Sequence, residues 1–116
     1  MPSEALRGAL RDIREHIELA RSFIGSMSFQ TFSTDRRTAY AVTRCLEIIS
    51  EASRKLPPDL KARYPEIPWT DIAGAGNVYR HDYEEVLDQI VWRTVEHGLE
   101  PLFRVAVEEL GRLEKQ

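Results

Sequence analysis

Near the start of the chain the apolar residues Leu6, Leu10, Ile13, Ile17, Ala20 and Ile24 recur at alternating steps of four and three. This spacing lines one side of an amphipathic helix, predicted from Ser3, a candidate N-cap, to about Gly25. The polar stretch SMSFQTFSTD is predicted to turn the chain, and Ser33, Thr34 and Asp35 each offer an oxygen to cap the next helix. In this second helix Val42, Cys45, Ile49, Ala52 and Leu56 form one stripe with Ala41, Leu46 and Ile48 beside it. That wider apolar face predicts more neighbours. Pro57 and Pro58 end it, and DLKARYPEIP has room for no more than a short helical turn. A third helix is predicted from Pro68 to about His81. A fourth, through Val86, Leu87, Ile90, Val91 and Val95, is predicted to stop or kink at His97-Gly98, with the glycine as a left-handed cap. Pro101 then opens a last helix with Leu102, Ala106, Leu110 and Leu113 inward. No period-two alternation and no internal repeat competes. The expected fold is all-α, an antiparallel bundle of four to five helices forming one domain over residues 1–116.

Composition narrows the function classes. The chain has 116 residues, 42% hydrophobic and 30% charged, and no apolar run approaches the ~18 residues of a membrane span. Charges interrupt the apolar residues of MPSEALRGALRDIREH, so it lacks a signal-peptide core and a cytoplasmic location is expected. A net charge of −3 provides no general attraction to nucleic acid, so any RNA contact has to be local. The single cysteine, Cys45, lies on an apolar stripe and reads as a small buried hydrophobe. One cysteine and three scattered histidines argue against a structural zinc site, and no metal is expected.

The stretch GAGNVYRHDY, Gly74 to Tyr83, gathers the candidate chemistry. On a helix, Trp69, Ile72, Gly76 and Tyr79 share one stripe while Gly74, Asn77 and His81 form a polar stripe beside it. Each glycine costs helix stability by roughly 1 kcal/mol, a cost explained if a backbone or a ligand approaches closely. His81 can serve as acid or base near neutral pH, or simply cap the helix end. Asn77 can orient a substrate or satisfy a local hydrogen bond. Arg36, Arg37 and Arg44 can bind phosphate or lie solvated. Glu47 and Glu51 share a helical face but have no histidine in register. His16 and His97 read as structural, and Tyr79 as core.

The stretch IPWTDIAGAGNVYRHDY, followed by EEVLDQIVWRTVEHGLEPL, resembles the HepT-like members of the HEPN superfamily, and the likeness extends back to DRRTAYAVTRCLEIISEASRKLP. The resemblance implies a small helical toxin paired with a nucleotidyltransferase antitoxin, active as a homodimer whose motifs line one cleft. It also implies metal-independent RNA cleavage with no cofactor, in which the motif histidine assists proton transfer and the motif arginine stabilises charge on phosphate. The family pattern is arginine, a polar residue, three further residues, histidine, any residue, tyrosine. Asn77, His81 and Tyr83 match it, while Gly76 stands at the arginine position. Arg80, or an arginine of a partner subunit, is the candidate replacement. Tyr83 holds the position at which the antitoxin attaches AMP. The resemblance leaves two expectations: an RNA-cleaving toxin carried by His81, Asn77 and Arg80, or a weakly active dimer that binds a nucleotidyltransferase and is AMPylated by it.

Overall fold

The computed structural model describes residues 2–81 and 84–115, and the side chains of all of these except residues 2, 3, 80, 81 and 84–86. The described residues form helices α1 (Pro2–Ile24), α2 (Phe29–Thr34), α3 (Arg36–Arg54), α4 (Pro58–Ala62), α5 (Trp69–His81), α6 (Glu84–Arg93) and α7 (Leu99–Glu114), with a π-helical turn over Thr94–Gly98. The all-α architecture is as expected from the periodicity. α1, α3 and α7 make the central packing, α5 lies on α3, and α6 closes against α2 and α3.

The predicted stripes are the core. Leu10, Ile13, Ile17, Ala20 and Ile24 of α1, Val42, Cys45, Ile49 and Ala52 of α3, and Leu102, Ala106, Leu110 and Leu113 of α7 are all buried. Each large side chain among them contributes on the order of 1.5–3 kcal/mol by leaving water. Burial also pushes the Cys45 thiol above its ordinary pKa, which suits an unreactive packing residue.

The structure departs from the periodic reading at three places and selects one of the predicted caps at a fourth. α1 starts at Pro2, ahead of the Ser3 predicted as its cap; proline suits a first turn because its missing N–H would have had no helical partner. SMSFQTFSTD is not all turn. Ser28 accepts from the Thr31 amide and so caps α2, whose Phe32 is completely buried beside Trp92. Of the three candidate caps for α3, Asp35 is the one used, accepting from the Thr38 amide at 3.1 Å. Finally, Gly98 is not a left-handed cap. Its φ is −92°, and the chain passes through the π-helical turn straight into α7. Pro101 supplies the reason: it cannot donate to the His97 carbonyl, so the hydrogen-bond ladder is reset just before it.

Charged side chains tie the helices at their edges. Glu109 of α7, buried, receives Arg63 at 2.6 Å, the Tyr64 hydroxyl, and Arg112 at 3.3 Å. Burial alone would raise its carboxyl pKa, but the hydrogen bonds from Arg63 and Tyr64 and the charges of Arg63 and Arg112 outweigh it and hold the carboxyl below the usual range. A depressed folded pKa stabilises the fold above the unfolded value and stops doing so as pH falls through the folded one. We therefore expect melting temperature to drop below about pH 4. The Glu109→Gln chain should be less stable at neutral pH, by up to about 3 kcal/mol, and should lose less on acidification. Melts of the two proteins across that range check this, and identical acid limbs would contradict it.

Candidate functional site on helix α5

α5 begins where the Trp69 indole donates to the carbonyls of Lys61 and Tyr64, which fixes the helix start against the end of α4. From there it runs antiparallel to α3, with Ala73 beside Arg54 and Gly76 beside Ser50. The contact is unusually polar for a helix crossing. The buried Ser50 hydroxyl lies 2.8 Å from the Ile72 carbonyl and 3.1 Å from that of Ala73, donating its one proton between them, and it accepts from the Gly76 amide at 3.3 Å. Arg54 adds two more donors to the Ala73 carbonyl, Nε at 3.0 Å and Nη2 at 2.8 Å.

These contacts explain the two glycines separately. A Cβ at Gly76 would stand 3.3 Å from the Ser50 Oγ and 3.5 Å from the Arg54 Nη2, so the missing side chain is what lets α3 come so near. A Cβ at Gly74 would meet nothing within 4 Å. Gly74 is exposed and lines a shallow groove of about 400 Å³ with Asp71, Val78, Ile90 and Thr94 among others.

Asn77, one turn beyond Gly74, is exposed. The backbone is α-helical through His81, so position 81 falls on the same side as positions 74 and 77, while position 80 falls one turn after Gly76 on the side that meets α3. The side chains of Arg80 and His81, and Tyr83 altogether, lie outside the described residues. Tyr79 is buried as expected. Burial pushes its phenol above the ordinary range, with the Thr94 hydroxyl of the π-helical turn pulling the other way.

The three α3 arginines considered for phosphate binding differ in setting. Arg36 reaches the buried Asp88 of α6 at 3.1 Å and lies over the Tyr40 ring at 5.1 Å, so it joins the start of α3 to α6. Arg37 and Arg44 are exposed, and Arg44 stands 3.7 Å from Glu47. Continuing the antiparallel register from Ser50 and Gly76 brings Arg44 level with the end of α5. A cleft of about 720 Å³ is lined by Lys55, Arg63 and Arg112 with parts of α1 and α7. It contains none of the predicted site residues.

Comparison with known proteins bears directly on this helix. The family described as "Ribonuclease HepT-like" matches residues 13–109, which include the whole of α5. The chain belongs to this HepT-like family. It is 41% identical over 93 residues to "Probable ribonuclease HepT" of Thermococcus cleftensis, covering 80% of this chain and 84% of that one. It is 35% identical over 99 residues to "Putative RNase MJ1216" of Methanocaldococcus jannaschii, covering 85% and 82% of the two chains. It is 31% identical over 110 residues to "Putative RNase TTE0752" of Caldanaerobacter subterraneus subsp. tengcongensis, covering 95% and 88%. No solved structure matches at a comparable level of significance. Among the described residues no helix is long and apolar enough to cross a membrane, and no cluster of three or more histidine, cysteine or carboxylate side chains could hold a metal ion.

Ser50, Arg54 and Asp88 were not among the residues singled out from this HepT-like sequence. A signal existed for the first: Ser50, like Thr43 and Ser53, interrupts the largely apolar buried face of α3, and a small hydroxyl there suits a glycine opposite it. The glycines are distinguishable by experiment. Gly74→Ala should gain roughly 0.5–1 kcal/mol from helix propensity alone. Gly76→Ala should destabilise, because the Ser50 hydroxyl, held by three partners, cannot retreat without losing bonds. Denaturant titration of both variants checks this; equal stabilisation by the two would contradict the tight approach.

Proposed function

We propose that the chain is a metal-independent endoribonuclease, active as a homodimer and silenced by a nucleotidyltransferase partner. The observation that carries the reading is the side of α5 bearing Gly74 and Asn77, which is open to solvent while the opposite side is locked to α3. That open side also holds position 81. Two copies meeting across it would bring two such stripes into one cleft.

In the proposed reaction the ribose 2′-oxygen attacks the adjacent phosphorus as its proton passes to a base, and the bond to the 5′-oxygen breaks as that oxygen takes up a proton. The products are a 2′,3′-cyclic phosphate and a 5′-hydroxyl. His81 moves the proton, and a contribution of about 10²–10⁴ in rate is the usual scale for such a group. Asn77 orients the sugar or phosphate. A cation has to offset the charge that gathers on the phosphate oxygens, and Gly76, with no side chain, cannot offer one. Arg80, three residues after Asn77 and so bordering the open stripe, is the candidate donor, and Arg37 and Arg44 would hold the rest of the strand.

The missing side chain at Gly76 favours a second reading, in which the chain cleaves weakly or not at all and serves as a dimeric partner and substrate of the nucleotidyltransferase. There the Tyr83 phenol oxygen would attack the α-phosphorus of ATP, forming a tyrosyl-AMP bond and releasing pyrophosphate. A single experiment separates the two. Incubated with RNA and EDTA, the chain should produce 2′,3′-cyclic phosphate ends, and His81→Ala should lower kcat by about 10²–10⁴. Uncut RNA would overturn the first reading; an AMP adduct on Tyr83 after incubation with the nucleotidyltransferase and ATP would then support the second.

A further inference from the structure

Arg54 has the most constrained guanidinium beside the motif helix, and the proposed reaction does not use it. Its Nε and Nη2 both donate to the Ala73 carbonyl, and Nη1 donates to Glu51 at 3.0 Å. A guanidinium has five N–H groups in a planar fork, so among the described residues two remain unspent, one on each terminal nitrogen. The side chain is 42% exposed, and its counter-ion among the described residues, Glu51, is 57% exposed. An ion pair this wet contributes little to stability and gives way readily to a better acceptor.

Placement sets what that acceptor is. Ala73 lies one turn before Asn77, so the guanidinium sits at the border between the face of α5 that meets α3 and the open face carrying Gly74 and Asn77. The fork is held in place before any ligand arrives, which reduces the ordering cost of using it. It stands level with Ala73, eight residues before position 81, or about 12 Å along the helix axis. One phosphate cannot touch both places. A second phosphate of the same strand can.

We propose that Arg54 binds a backbone phosphate of single-stranded RNA flanking the bond to be cut, and so sets the register of the strand on α5. This inference rests on the ribonuclease reading for the identity of its ligand and assigns Arg54 a binding role, not a catalytic one. Glu51 competes with the phosphate for Nη1, so the two residues have opposite effects on affinity. Exposed carboxylate and guanidinium thus act together as a gate on RNA binding.

The test uses a single-stranded oligonucleotide with 2′-O-methyl groups, which blocks the attacking oxygen and makes binding measurable without cleavage. Arg54→Gln should weaken binding about tenfold at low salt and lower the slope of log affinity against log salt by about 0.7, as for one lost phosphate contact. Glu51→Gln should strengthen binding about threefold. With cleavable RNA, Arg54→Gln should raise KM by the same factor as it weakens binding, over and above any fall in kcat from the loss of its bonds to the Ala73 carbonyl. Arg54→Lys, which retains the charge but not the fork, should fall between wild type and Gln. If Arg54 only fastens α5 to α3, then Glu51→Gln changes no affinity and Arg54→Gln lowers melting temperature with the salt slope intact; either result overturns the proposal. A chain that binds the probe through Arg54 but leaves RNA uncut would sustain this inference and sink the catalytic reading. A chain that cuts RNA indifferently to Arg54 would do the reverse, and one that neither binds nor cuts would sink both.

Discussion

The hydroxyl of Ser50 is the point on which the site depends. α5 has little apolar surface to offer the core: between Trp69 and Tyr79 it presents only Ile72 and Ala75 as partly buried apolar side chains packed on it, with Gly76 buried beside them. Hydrophobic burial alone would hold such a helix loosely. Its position is fixed by a short polar seam, in which Ser50 and Arg54 bond to the carbonyls of Ile72 and Ala73 and to the amide of Gly76. Hydrogen bonds of this kind contribute only about 1 kcal/mol each in net terms, but leaving one buried partner unsatisfied costs more. The seam therefore specifies where α5 sits more than it stabilises the bundle, and the open stripe of Gly74 and Asn77 is aimed by it.

A glycine in a helix is legible in sequence as a cost; its return is not, because that lies on another helix. The repeat of apolar residues at steps of three and four was enough to find α1, α3, α6 and α7 and to list most of the core, while Pro68 marked the start of α5. It failed where side chains replaced periodicity as the deciding influence. α2 exists because Ser28 caps it and Phe32 has a pocket beside Trp92. The bend expected at Gly98 became a π-helical turn because Pro101 interrupts the ladder just after it. The pairing of Gly76 with Ser50, and of Arg36 with Asp88, joins residues 26 and 52 positions apart in the chain. No local pattern encodes such distances. The motif positions themselves were legible, and helical geometry through His81 keeps positions 74, 77 and 81 on one side.

The overall charge of −3 also takes on meaning once the chain is folded. α3 carries four arginines, and three of them each meet a carboxylate: Arg36 with Asp88, Arg44 with Glu47, Arg54 with Glu51. The Asp88 carboxylate is buried, whereas Arg44 and Arg54 pair across solvent, where screening makes the attraction weak. On the proposed ribonuclease reading, an anionic strand would take those two without disturbing the core. An acidic protein can in this way have a local cationic edge beside its motif helix while avoiding indiscriminate attraction to nucleic acid.

The most direct measurement is amide hydrogen exchange on the Ser50→Ala chain, which removes the hydroxyl and adds no bulk to the seam. Protection is predicted to fall across residues 72–79 of α5 while the buried stretches of α1, α3 and α7 exchange as before. Unchanged protection in α5 would contradict the claim that the Ser50 seam positions the motif helix.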